Sequence, residues 1–172
     1  DGSVESSHQI ELTQYFPDNN SVEHDPIEII DSVNKCIQNV VNDIDVKEIV
    51  SIGISNQRET TVAWSKSTGK PFYNAIVWQD TRTQNICDEL LKNKRFTELI
   101  KITGLPISTY FSLSKILWLI ENVSEISSSL EDDVCFGTID SWIVYNLTGN
   151  FYTDVTNASR TLMYDLYNME WS

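Results

Sequence analysis

The chain has 172 residues, 41% of them hydrophobic, and a mean hydropathy of -0.24. That is enough for one globular domain with its own core and too little for two ordinary ones. The formal charge is -13, from 25 acidic against 12 basic residues with no Lys/Arg cluster, which argues against nucleic acid and anionic membrane as partners.

No apolar run approaches the ~18 residues that a membrane-spanning helix needs. Cys36, Cys87 and Cys135 are scattered, with no CxxC pair. An odd set of this kind reads as reduced thiols in a cytoplasmic protein rather than a disulfide frame or a zinc site. The chain opens at Asp1-Gly2-Ser3 without a Met and stops at Trp171-Ser172 without a polar tail. Both ends lead us to expect a piece of a longer protein.

Val4 to Leu12 alternates loosely, as a half-buried strand would. His24-Asp25-Pro26 announces a helix, with Asp25 as N-cap, Pro26 in the first turn and Glu28 at capping-box distance. Ile27, Ile30, Val33, Ile37, Val40, Val41 and Ile44 form its apolar stripe. Ile49 to Ile54 is rich in β-branched residues and predicts a buried strand. Strand, helix and strand of these lengths predict a βαβ unit and an α/β layer architecture.

Asn56-Gln57-Arg58-Glu59 then stands between that run and a second strand-like run, Thr60 to Trp64. A polar cluster between two buried segments is costly unless its members bond each other or a ligand. Arg supplies a fork of donors and Glu a pair of acceptors, which suits a small ligand covered in hydroxyls. A strand-end salt bridge beside a polar turn explains the same residues equally well.

Ser67-Thr68-Gly69 predicts a hairpin turn, and Tyr73 to Asp80 runs from apolar to polar. Helical patterns follow at about 82–92 and 95–102, the second stopped by Gly104 with Pro106 beyond it. An amphipathic helix is predicted over about 112–122, capped by Ser112, with Leu113, Ile116, Leu117 and Ile120 inward. A weaker one covers roughly 124–131. Val134 to Gly137 reads as a short buried strand, and Asp140 to Leu147 as a helix closed by Gly149. Short strands at Phe151–Thr153 and Leu162–Tyr164 flank the polar turn Thr156-Asn157-Ala158-Ser159-Arg160.

Six blocks carry a resemblance. They are Val22-Glu23-His24-Asp25-Pro26, Asn56 to Thr61, Asn74-Ala75-Ile76-Val77-Trp78-Gln79 with Arg82-Thr83, Tyr110 to Asn122, Phe136 to Trp142, and Thr156 to Thr161. In this order they resemble the FGGY carbohydrate kinases, and among those the members that act on glycerol. The resemblance runs from about residue 8 to the end. It implies a ribonuclease-H-like α/β fold of the actin and hexokinase type, in which residues 1–172 are most of the N-terminal domain. It places a phosphate-binding β-hairpin before Asp1, and a C-terminal domain with the general-base Asp and the adenosine site after Ser172. It thus implies no catalytic residue within the chain.

The resemblance also implies roles. Arg58 and Glu59 match the pair that hydrogen-bonds glycerol, Tyr110 sits where a phenol meets a glycerol hydroxyl, and Trp78 matches an aromatic wall against the substrate's carbons. ATP would be the donor, with Mg²⁺ held mainly through phosphates and parts outside the chain. The full-length protein would be a homo-oligomer, a dimer or tetramer. Trp118 reads as packing, Lys115 as a helix-surface or interface residue, and Asp140, Asn157 and Arg160 as loop organisers or oligomer contacts. His8 and His24 lack ligand-spaced partners, so no metal site is expected within the chain. Two alternatives stay open: another FGGY kinase for a related polyol or sugar, and a non-catalytic polyol-binding regulator.

Overall fold

The computed structural model of the chain describes residues 2–42 and 44–172, Thr97 in its backbone alone. Strand β1 (Glu23–His24) leads directly into helix α1 (Pro26–Val41). Asp25 Oδ1 accepts from the Ile27 N–H at 2.8 Å, and Pro26 brings no N–H to the first turn, where one would lack a partner. Glu28 does not close a capping box; it accepts from the N–H and hydroxyl of Thr13, at 3.0 and 2.9 Å, and so ties down the chain ahead of the helix.

The sheet is built around β2 (Thr61–Ser65), all five residues of which are buried. Together with β3 (Ala75–Ile76) and β4 (Val134–Thr138) it gives the order β1-β3-β2-β4, with every pairing antiparallel. The expected turn at Ser67–Gly69 follows β2, with Gly69 at φ +70° donating its N–H to Ser65 at 2.8 Å.

Because successive side chains leave a strand on opposite faces, β2 divides the core. Val62 and Trp64 join Ile29 of α1 and Ile139, Trp142 and Ile143 of α6 (Ile139–Thr148). Ala63 joins Leu119 of α4 (Ser112–Asn122) and Ile126 of α5 (Ser124–Ser129). Helices therefore cover both faces. Between β3 and α4 the chain forms α2 (Gln84–Lys92) and α3 (Lys94–Thr103), the latter ended by Gly104 at φ +68°. After α6, closed by Gly149, come α7 (Val155–Ala158) and a small ribbon of β5 (Tyr164–Asp165) with β6 (Glu170–Trp171).

The predicted βαβ unit is not formed. Neither Val4–Leu12 nor Ile49–Ile54 is a strand, and Val50 is 98% exposed and Ile52 68% exposed. β-Branched residues favour an extended backbone, but a strand exists only where a neighbour takes up its N–H and C=O groups. No described segment does so here. Ile52 and Ile54 instead flank an open apolar groove of about 430 Å³, with α1 and α6 forming its other walls. Phe151–Thr153 is likewise unpaired.

The first turn of α4 also differs from its predicted pattern. Its fully buried residues are Ser112, Ser114, Lys115 and Leu119, while Leu113, Ile116, Leu117 and Ile120 are only half-buried. Ser112 lies inside the helix rather than at its cap, and it donates its hydroxyl to the Glu59 carbonyl at 3.1 Å. Polar side chains occupy this buried turn because it abuts the loops described next.

Candidate functional site

The turn that precedes β2 is locally unusual. Glu59 has φ +66°, a left-handed conformation rare for a residue with a Cβ. It is held there by what surrounds it. Its carbonyl accepts from Thr61 Oγ1 at 3.0 Å as well as from Ser112, and the Thr60 N–H bonds back to the Arg58 carbonyl at 2.8 Å. The Glu59 side chain is only 4% exposed.

The cation that faces Glu59 is Arg160, whose Nε donates to Oε1 at 2.6 Å across 101 residues of sequence. One rung away, Asn56 donates its side-chain amide to Asn157 Oδ1 at 3.0 Å, across the same separation. Asn157 is in turn fixed by Asp154, whose Oδ1 accepts from its N–H at 2.8 Å and its amide at 3.0 Å. Those bonds hold the Asp154 carboxyl below its ordinary range, the Asn157 N–H contributing most. Two turns, 56–59 and 157–160, are thereby laced together at matching three-residue spacing.

The salt-bridge alternative for Arg58 and Glu59 is therefore not formed, since the Glu59 carboxylate pairs with Arg160. Arg58 is exposed, and among the described residues no ion pair joins it to Glu59. Adjacent residues in an abrupt turn diverge, so one reaches solvent and the other the interior. Arg160 was expected to organise a loop or contact another subunit, and its bond to Glu59 ties the 157–160 turn to the 56–59 turn. Nothing in the sequence pairs it with Glu59, since the signal is only that a buried carboxylate needs a cation from somewhere.

Tyr110 and Trp78 come to the same place. Their ring centroids lie 5.3 Å apart at 57°, and both are half-buried. The Arg160 guanidinium lies 5.7 Å from the Tyr110 ring centroid and 5.0 Å from that of Phe111, within cation–π range. The Trp78 N–H donates to Thr60 Oγ1 at 3.2 Å, linking its loop to the Glu59 turn.

Below Trp78 a buried ionic network holds the loop. Arg82 donates to both oxygens of Asp80 at 2.8 to 3.0 Å and to Glu23 at 2.7 Å. Glu23 also accepts from Tyr73 and Asn74, both at 2.9 Å. Burial alone would lower the Arg82 pKa, but its bonds to Asp80 and Glu23 carry it above its ordinary value. Trp118 closes the network as the packing residue expected, 4.7 Å from the Arg82 guanidinium.

Other expectations resolve as follows. Asp140 braces its surroundings, accepting from Thr138 and from Thr153, the latter at 2.7 Å. Lys115 is not a surface residue; it is fully buried behind Tyr110. His24 is buried, with Nδ1 facing the Gln57 amide at 3.4 Å and Nε2 unpartnered. Cys36, Cys87 and Cys135 are free thiols. Among the described residues no helix is long and apolar enough to cross a membrane, and no three His, Cys, Asp or Glu side chains converge as metal ligands. The site as a whole is a half-open face with a buried carboxylate–guanidinium pair at its floor and two aromatic rings beside it. Such a face suits a ligand that carries hydroxyls on a short carbon backbone.

The chain is 46% identical over 180 residues to a probable glycerol kinase of Caenorhabditis elegans, covering 99% of this chain and 36% of that protein. It is 45% identical over 180 residues to a glycerol kinase of Arabidopsis thaliana, covering 96% and 34% respectively. It thus spans about a third of the length of the curated relatives it matches. Among solved structures, Plasmodium falciparum glycerol kinase with ADP superposes with a TM-score of 0.94 at 40% identity, over 99% of this chain and 35% of that one. The α/β fold is that of the N-terminal domains of these kinases, ribonuclease-H-like and of actin and hexokinase type. The profile of the FGGY family of carbohydrate kinases, N-terminal domain, matches residues 1–172, and the chain belongs to that family.

Proposed function

We propose that the protein containing this chain transfers the γ-phosphoryl group of ATP to a terminal hydroxyl of glycerol, giving glycerol 3-phosphate. Residues 1–172 form most of the N-terminal domain and supply the glycerol half of the site. The observation that carries this is the convergence of Glu59, Tyr110 and Trp78 on one half-open face, in a chain 45% and 46% identical to two glycerol kinases.

Each residue has a task that its surroundings support. Glu59, set by Arg160, keeps Oε2 for a substrate hydroxyl. Tyr110 offers its phenol to a second hydroxyl, Trp78 lies against the carbons, and Arg58 reaches over from the exposed side to donate to oxygen. With two hydroxyls held, the third faces the phosphoryl donor. Phosphoryl transfer depends on such positioning and on charge stabilisation more than on covalent chemistry by the protein. In this reading the base that accepts the hydroxyl proton is an Asp of the C-terminal domain. ATP is gripped mainly outside the present residues. The ADP in the P. falciparum structure supports an adenine nucleotide as donor. Mg²⁺ would be held mainly through the phosphates of ATP and parts outside this chain. A cytoplasmic homo-oligomer completes the proposal.

The test is discrimination by the full-length enzyme. A site that pairs a buried charge with a hydroxyl rejects an analogue that lacks it, by roughly 1–3 kcal/mol per orphaned group. Glycerol should therefore exceed 1,2-propanediol in kcat/KM by at least about tenfold. Arg58→Ala and Glu59→Gln should weaken glycerol use while leaving the KM for ATP little changed. Equal use of the two diols, or unaltered glycerol kinetics in both variants, would sink the assignment.

A further inference from the structure

We propose that Lys115 is a positioning residue for the polyol site, fixing the Tyr110 loop through its backbone carbonyls. Its side chain is fully buried in the first turn of α4. That is a poor place for a cation, since the helix N-terminus already carries positive charge and burial removes water. Its partners explain why it is there. Nζ donates to the carbonyl of Thr109, to that of Tyr110 at 3.0 Å, and to that of Phe111 at 3.5 Å. Three consecutive carbonyls thus converge on one ammonium, whose three N–H groups match them in number.

Tyr110 is therefore fixed through its own peptide at both ends. Its N–H donates to Ser108 Oγ at 3.2 Å, and its carbonyl is taken up by Lys115. The ring sits between those of Trp78, at 5.3 Å, and Phe111, at 5.4 Å. Burial pushes the Lys115 pKa down to about 8, with the carboxylates of Asp80 and Glu59 opposing that fall. The group is still a cation at neutral pH. An apolar side chain of equal length would fill the space and take this donor from the Thr109 and Tyr110 carbonyls, while that of Phe111 would still accept from Ser114 Oγ at 3.4 Å; the loop would have to move to find other donors. Ring placement, rather than bulk packing, is what the lysine secures.

This inference rests on the proposed polyol site. It is tested in the full-length enzyme with Lys115→Met, Tyr110→Phe and the double variant, varying glycerol and ATP separately. Lys115→Met should raise the KM for glycerol about tenfold or more and leave that for ATP within about twofold, a split that general destabilisation does not produce. In the Tyr110→Phe background the same change should cost less than about threefold, because the hydroxyl it positions is already gone. Lys115→Arg, which keeps the charge but whose planar fork fits three converging carbonyls poorly, should fall between wild type and Lys115→Met. If Lys115→Met does not fold, Lys115→Arg is carried through the same cycle. Equal fold-losses in the two Tyr110 backgrounds overturn the proposal. So does a loss shared evenly between glycerol and ATP. Should Tyr110→Phe weaken glycerol use and Lys115→Met leave it intact, the lysine's role fails while the site stands. Unchanged glycerol kinetics in Tyr110→Phe remove both.

Discussion

Replacing Arg160 by Met removes the cation that bonds Glu59 and keeps most of the side chain's apolar bulk. Removing one partner of a buried ion pair costs about 3–5 kcal/mol. The Arg160 side chain is 28% exposed against 4% for Glu59, so water screens one side and a value nearer 2 kcal/mol is reasonable. Loss of the guanidinium from above Phe111, at 5.0 Å, adds roughly 0.5–1 kcal/mol. For a domain of this size each kcal/mol moves the melting temperature by about 2–4 °C, so thermal unfolding of the full-length protein should begin some 5–10 °C lower. The unpaired Glu59 carboxylate should also turn towards water, and kcat/KM for glycerol should drop at least about tenfold. Adding Glu59→Gln removes the orphaned charge, so the double variant should be more stable than the two single losses summed. If Arg160→Met leaves the melting temperature and the glycerol kinetics as in wild type, the pair is a surface contact and the site has been built on the wrong floor.

Two further outcomes follow from the packing. A Cβ at Gly137 would meet Trp64 Cη2 and Ser141 Cβ, each at 2.8 Å; Gly137→Ala should destabilise the protein by about 1–3 kcal/mol, and denaturant titration showing no loss would mean that β4 shifts freely. Burial lowers the His24 pKa below its ordinary 6.5, so below that pH the unfolded chain binds the proton more readily and stability falls as the pH drops. That part of the pH dependence should vanish in His24→Asn, and an unchanged slope between pH 5 and 6.5 (roughly the range in which histidine titrates) would assign it to another group.

The helices were legible because their signals are local. Asp25-Pro26 starts α1 and glycines at φ +68° and +74° close α3 and α6, each within one turn of the residue that reveals it. The strands divide differently. Thr61–Ser65 is buried on both faces and finds partners in β3 and β4, whereas Ile49–Ile54 is richer in β-branched residues and has no partner among the described residues. A strand is a relation between two segments, and composition reports only one of them. Side-chain pairs fail for a similar reason. Arg58 stands next to Glu59 in sequence, yet the carboxylate's partner is 101 residues away; Lys115 reads as a solvent-facing helix lysine until the loop carbonyls are brought to it.

What sequence did reveal at the site is a set of local conflicts: a polar cluster between two apolar runs, and an aromatic residue on each of two loops. Structure turns those conflicts into positions, and Glu59 is where most of them meet. A left-handed glutamate costs about 1 kcal/mol or more relative to a relaxed turn, and a buried carboxylate costs more unless a cation reaches it. Glycine would remove the first cost and glutamine most of the second, and neither would give a charged acceptor backed by a guanidinium. That it carries glutamate, with Arg160, Ser112 and Thr61 all committed to holding it, is the physical ground for proposing that position 59 serves a ligand rather than the fold.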